Sequence, residues 1–243
     1  MYEDIGKSLG TDYFHIADQL TAEESDHVVV VWARDVADKE VKGFLVERGT
    51  PGYEARRIDG KGLLRAVWQA EITLTDLRVR EENRLPGAAS FKDTGRVLAG
   101  TRSSVAWAAL GHATAAYEIA VAYCAQRRQF GKPLASFQIV QDRLVKMLAE
   151  ICSMQLYCLR LGRLMEDGKL TDAIAAIAKM NNTSKARQVI SEARDLLGGN
   201  GILLDYHVMR HMADIEAIHT YEGTETIQTL IVGRDITGVG AFT

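Results

Sequence analysis

The chain has 243 residues, 47% of them hydrophobic and 25% charged, with a net charge of -3 at pH 7 and an isoelectric point near 6.1. That is enough apolar material for one large or two small cored domains, and the mild acidity argues against a nucleic-acid or anionic-membrane partner, either of which needs clustered cations. No apolar run reaches the length of a membrane span, no secretory signal opens the chain, and Cys124, Cys152 and Cys158 form no Cys-x-x-Cys pair, so a soluble, reduced, cytoplasmic protein without a disulfide framework or zinc cluster is expected.

Residues 1–26 mix Gly6, Gly10 and His15 with an acidic patch at Glu23, Glu24 and Asp26, show no sustained period, and are assigned no element. From Val28 the β-branched run to Ala33 suits a buried strand, and Val41 to Glu47 suits a second, close enough to pair with it as a hairpin. Arg48 to Gly52 is loop chemistry. Ala66, Trp68, Ala70, Ile72 and Leu74 alternate with polar neighbours and predict a half-buried strand, and Val79 leads into a short edge that turns at Pro86 and Gly87. Residues 27–90 therefore form a small β-region of three or four strands, part of a sheet.

The remainder, 91–243, is helical. Ser103 or Ser104 can cap a helix with Val105, Ala109, Ala113, Ala116 and Ala120 at three- and four-residue spacing. Gln129 to Pro133 breaks it. Ser136 opens a second helix with Ile139, Leu144, Leu148, Ile151, Gln155 and Leu159 as its buried stripe, closed by Gly168. Thr171 opens a third that Gly198, Gly199, Asn200 and Gly201 terminate, followed by helices from about Tyr206 to Ala217 and from about Glu225 to Ile236. The fold class is mainly α with a β part: a partial β-domain followed by an antiparallel helical bundle.

Four features invite chemistry. His207 and His211 stand four apart, a zinc-enzyme spacing, but His207 is followed by Val208 and no third ligand is evident, so a metal site is not expected. The Gly-Gly-Asn-Gly run follows a helix and lacks the dinucleotide spacing. Arg127 and Arg128 before Phe130 and Gly131 can bind a phosphorylated cofactor or satisfy a helix dipole. Thr220-Tyr221-Glu222-Gly223-Thr224 places a carboxylate beside a glycine between two helices, where it can serve as a catalytic base with Gly223 permitting close approach. The same stretch also reads as an ordinary turn with a solvated Glu222 and with Thr224 capping the last helix.

Taken together, Arg127 to Leu134 (Arg-Arg-Gln-Phe-Gly-Lys-Pro-Leu), Leu196 to Gly201 (Leu-Leu-Gly-Gly-Asn-Gly) and Tyr221 to Thr224 (Tyr-Glu-Gly-Thr) resemble, in order and spacing, the C-terminal domain of the acyl-CoA dehydrogenases. Within that family the stretches Val30-Val31-Trp32-Ala33-Arg34, Gly43 to Glu47, Leu85 to Ala88, Tyr206-His207-Val208 and Gly233 to Gly238 are most similar to the glutaryl-CoA dehydrogenases. The resemblance implies an FAD enzyme in which Glu222 removes the substrate α-proton while FAD takes the β-hydride. It places Thr224 near FAD, Arg127, Phe130 and Gln138 against the FAD of a neighbouring subunit, and Gly198 and Gly199 where the adenosine end packs. Arg102 matches a family arginine near the bound thioester, and Tyr221 and Gly223 line the acyl pocket. It further implies an acyl-CoA thioester substrate, an electron-transferring flavoprotein as acceptor, a homo-oligomer (dimer or tetramer), and, in glutaryl-specific members, decarboxylation to crotonyl-CoA. The likeness starts near Asp26, and the family's Leu-Thr-Glu-Pro-like loop and Trp-Ile-Thr stretch have no counterpart, which implies an N-terminally truncated member. Two rival readings stay open: a non-catalytic bundle serving in assembly, and a dehydrogenase for another acyl-CoA.

Overall fold

The computed structural model describes residues 2–4 and 28–241, so the unassigned segment falls, apart from residues 2–4, outside the described residues. The chain divides into two units, Met1–Val97 and Leu98–Thr243.

In the first unit the strands pair two by two. β1 spans Tyr2–Asp4, and β2 (Val28–Arg34) and β3 (Val41–Glu47) form the expected antiparallel hairpin, Val28 opposite Glu47 and Arg34 opposite Val41. Its first strand is not buried throughout: Val29 and Ala33 face inward while Val28 and Val30 are exposed, because alternate side chains of a strand take opposite faces. β4 (Tyr53–Arg57) was not anticipated and pairs with β5 (Ala70–Leu74). β5 is shorter than its alternation suggested. Residues 66–69 belong instead to a loop gathered by the Lys61 ammonium, which donates to the carbonyls of Leu64 (3.1 Å) and Val67 and to Gln69 Oε1 (3.2 Å). β6 (Arg78–Arg80) pairs with β1, and Ala33, Phe44, Val46, Leu77 and Val79 make a small core.

The long helix α1 (Phe91–Gln126) begins twelve positions before the serines expected to cap it. Asp93 Oδ2 accepts hydrogen bonds from the backbone N–H of Ala89 (3.1 Å) and Ser90 (3.0 Å) and from the Ser90 hydroxyl, tying down the true start. Ser103 lies buried inside the helix, its hydroxyl returned to the Gly100 carbonyl at 2.7 Å.

The second unit is a helical bundle. A two-residue hairpin, β7 (Arg128–Gln129) with β8 (Lys132–Pro133), links α1 to α2 (Gln138–Glu166), which is followed by α3 (Asp172–Leu196), α4 (Val208–Thr220) and α5 (Glu225–Thr237). Thr171 caps α3 as expected, its hydroxyl accepting from the Ile174 N–H at 3.2 Å, and Gly168 and Gly198 carry the left-handed φ that ends a helix. Cross-links give the directions: Arg143 meets Glu192 and Asp195 while Lys185 meets Glu150, so α2 and α3 run antiparallel, and Arg187 with Glu216 and Thr183 with His219 make α3 and α4 antiparallel too. Asn182 to Ala106 and Asn200 to Tyr123 set α1 running with α3. This is an up-down-up-down arrangement.

Ala106, Ala109, Ala113, Ala116 and Ala120 are wholly buried, giving α1 a small-residue seam against which neighbours can approach closely. The buried stripe of α2 differs from the expected one. Val140, Met147, Ile151, Met154, Cys158, Leu161 and Leu164 face the core, while Ile139, Leu148, Gln155 and Leu159 are exposed, because α2 carries apolar residues on two faces and periodicity alone does not say which is covered. No helix among the described residues is long and apolar enough to cross a membrane.

His207 adopts the left-handed φ of 60° just before α4, and the ring of His211 turns to another histidine. His211 Nδ1 lies 3.0 Å from His112 Nδ1, so one ring donates and the other accepts, which requires a neutral partner. Burial, then the neighbouring His112, Arg210 and His207, push the His211 pKa down to about 4 against the pull of Asp214, and burial lowers His112 as well. Unfolded imidazoles take up protons near pH 6.5, so below that pH the unfolded chain binds more protons and stability falls as pH drops from 6.5 toward 4. The expected loss is about 1 kcal/mol per pH unit from His211. Melting temperature between pH 7 and 4.5 checks this: His211→Gln should show a shallower decline than the unmodified protein, and parallel curves would contradict it.

Candidate active site

Between α4 and α5 the chain makes a turn that few residues tolerate. Glu222 has φ 59° and Gly223 φ 92°, two consecutive left-handed residues, the first of them not a glycine. Such a conformation persists only where the surroundings impose it. Here they do so through the backbone carbonyls. Tyr221 O accepts from Lys179 Nζ at 2.6 Å, Glu222 O from Arg102 Nε at 3.3 Å and Gln228 Nε2 at 3.0 Å, and Gly223 O from Gln228 Nε2 at 2.9 Å and from Lys179 Nζ. A Cβ on residue 223 would sit 2.6 Å from Gln228 Nε2, so a larger residue there would displace the amide that pins the turn, and the φ of 92° strains any side chain besides.

The pinning side chains are themselves buried. Lys179, Arg102 and Gln228 expose 1%, 4% and 0% of their surface, and Arg102 is held by Asp172 at the start of α3. Burial first, and the Arg102 charge second, lower the Lys179 pKa to about 8, with Glu222 pulling the other way. The Glu222 carboxylate accepts a hydrogen bond from Thr101 Oγ1 at 2.6 Å, a contact from the α1 residue next to Arg102. On the other side, His219 Nδ1 is 3.0 Å from Thr183 Oγ1 and Nε2 is 3.1 Å from Glu225, and burial lowers its pKa. The result is a half-buried carboxylate on a rigid turn, backed by a cationic floor. A carboxylate held in this way can serve as a positioned general base.

Of the residues singled out from sequence, Glu222, Gly223, Tyr221 and Arg102 come together here. Thr224 occupies the first cap position of α5, but its side chain makes no capping bond, unlike the alternative given above. Arg127, Phe130, Gln138, Gly198 and Gly199 lie at the other end of the bundle. Arg102 lies inside α1 and Arg127 just past its end, roughly 38 Å apart, and Lys179 and Gly198 are roughly 28 Å apart along α3, at about 1.5 Å per helical residue. Phe130 is 91% exposed with φ 49°, and Arg127, Gln138, Gly198 and Gly199 are also exposed. Thr101, Lys179 and Gln228 were missed. A usable signal existed for Lys179, a lysine on the buried face set by Ala175, Ala176, Asn182 and Ala186 at three-, four- and seven-residue steps.

Residues 91–237 match the acyl-CoA dehydrogenase C-terminal domain family, which is more than half of the chain. The chain belongs to the acyl-CoA dehydrogenase family. A short-chain-specific acyl-CoA dehydrogenase of Megasphaera elsdenii is 35% identical over 79% of this chain and 51% of that protein. The crystal structure of a Mycobacterium smegmatis glutaryl-CoA dehydrogenase superposes with a TM-score of 0.86 at 40% identity, covering 89% of this chain and 56% of that one. A structure of a glutaryl-CoA dehydrogenase from the same organism in complex with FADH2 gives 0.86 at 34% identity with the same coverage. The chain thus spans about half the length of these relatives.

Proposed function

We propose that the protein is an FAD-dependent acyl-CoA dehydrogenase that oxidises glutaryl-CoA and releases crotonyl-CoA and CO2, with Glu222 as the base. The observation that carries this reading is the Glu222 turn, a carboxylate held at φ 59° with Thr101 on its oxygen and buried donors on all three flanking carbonyls. A weakly acidic α-proton is removed only by a base fixed against it, which a rigid turn supplies. The backbone N–H of Glu222 serves the developing negative charge on the thioester oxygen, as an oxyanion donor.

FAD, when bound, accepts the β-hydride. The residues present fit it: Arg127 is an exposed cation suited to a diphosphate, Phe130 an exposed ring, Gln138 an exposed amide, and Gly198 and Gly199 leave open space where a Cβ would stand. Their distance from Glu222 along the bundle supports a homo-oligomer, dimer or tetramer, in which they serve the cofactor paired with another copy's Glu222. Thr224 would lie near FAD, Arg102 near the thioester, and Tyr221 along the acyl chain. An electron-transferring flavoprotein as acceptor and a cytoplasmic location complete the reading.

The glutaryl assignment is supported by 40% identity to the Mycobacterium smegmatis enzyme, while the Megasphaera relative keeps a short saturated chain as the competing substrate. Assay of the flavin-loaded protein with glutaryl-CoA and butyryl-CoA decides between them. The expected result is one CO2 released per crotonyl-CoA from glutaryl-CoA. Preference for butyryl-CoA with no CO2 from glutaryl-CoA would overturn the substrate, and no oxidation of either would overturn the activity.

A further inference from the structure

Lys179 is a charged side chain that folding places almost wholly out of water, where it holds the Glu222 turn without touching the reacting atoms. Its ammonium has three donors and three carbonyls to meet: Tyr221 O at 2.6 Å, Gly223 O, and His219 O at 3.4 Å. The charged and titratable groups around it among the described residues are Arg102 from α1, Glu222 from the turn, and His219 from α4, with Asp172 on Arg102 and Glu225 on His219. A buried cation satisfied by carbonyls is costly to the fold. Its geometry shows what that cost secures.

The peptide bonds here are trans, and in a trans peptide the N–H points opposite to the C=O of the preceding residue. Drawing Tyr221 O onto Lys179 therefore turns the Glu222 N–H to the opposite side, and drawing Gly223 O onto it does the same for Thr224. We propose that Lys179 is a positioning residue that aims the Glu222 N–H at the substrate thioester oxygen by holding the Tyr221 and Gly223 carbonyls. The proposal rests on Glu222 being the base of the reaction. A neutral amine has two donors for three carbonyls and turns a lone pair toward one of them, so loss of the proton lets the turn relax.

Two measurements test this on the intact flavin-loaded protein. Crotonyl-CoA with 13C at its thioester carbonyl reports, by infrared difference spectroscopy, how strongly that carbonyl is polarised when bound. The stretch is expected to shift to lower frequency in the unmodified protein and in Glu222→Gln, which keeps the N–H, and to lose most of that shift in Lys179→Met. Lys179→Met should also lower kcat by about 10–100-fold with little change in KM, less than the outright loss of an oxyanion donor.

The second measurement needs no variant. Because the folded pKa of Lys179 is lowered to about 8, the unfolded chain binds more protons between about pH 8 and 10.5, so through this group stability rises over that window. The infrared shift, in contrast, should fade above pH 8. Polarisation lost while melting temperature holds or rises supports positioning. A shift unchanged to pH 9.5 in the unmodified protein, or a full shift and full kcat in Lys179→Met, overturns it. Failure of Glu222 as the base would show separately, as normal turnover in Glu222→Gln.

Discussion

Glu222→Gln should reduce oxidation of acyl-CoA by about 10²–10⁴-fold, the usual contribution of a positioned base. The substitution is clean for a structural reason. The turn is fixed by hydrogen bonds from Lys179, Arg102 and Gln228 to the backbone carbonyls of residues 221–223, bonds that do not involve the side chain being changed. Glutamine has nearly the same shape, and its amide oxygen can accept the Thr101 hydroxyl as the carboxylate does at 2.6 Å. Melting temperature should therefore move little while turnover collapses. Enoyl-CoA formation with an artificial electron acceptor is the measurement, and a near-normal rate would remove Glu222 from the chemistry.

The largest effect on stability is expected at Gly201. This residue is buried just past α3, and a Cβ there would lie 2.0 Å from the Arg194 carbonyl oxygen and 3.0 Å from its carbon. Both atoms belong to the last turn of a helix, so nothing flexible can yield. Gly201→Ala should cost about 2–4 kcal/mol and lower the melting temperature by roughly 5–15 °C for a chain of this size. Two residues earlier the outcome reverses. Gly199 is exposed with open space around its Cβ position, so Gly199→Ala should stay within about 0.5 kcal/mol, and any effect it has should appear in cofactor affinity. Equal melting temperatures for the two variants, read by calorimetry, would contradict this account of the run.

These contrasts mark where the sequence was legible. Glycine punctuation placed the ends of α2 and α3 because a left-handed φ is a local requirement. The β2–β3 hairpin followed from two apolar runs with a short break. The start of α1 did not, because Ser90 and Asp93 precede Gly95 and a polar stretch with no apolar period, and the serines further on offered a better-looking cap. The covered face of α2 was misjudged because both of its faces are apolar, and which one is buried depends on partners distant in sequence.

At the site, Glu222 and Gly223 stand out as a local motif, whereas Thr101, Lys179 and Gln228 act on the turn from three different helices. Thr101 lies 121 positions from the carboxylate it contacts. No local pattern carries that information, except that a lysine among buried alanines signals a carbonyl or carboxylate waiting for it.

The central claim is that Glu222 takes the α-proton, and proton exchange reads that step without the oxidation that follows it. The protein is incubated with butyryl-CoA in deuterium oxide without an electron acceptor, and deuterium at the α-carbon is followed by mass spectrometry. The unmodified protein should exchange α-protons, and Glu222→Gln should leave the label at the level of buffer alone while still binding the thioester. Exchange in Glu222→Gln at the rate of the unmodified protein would contradict the account.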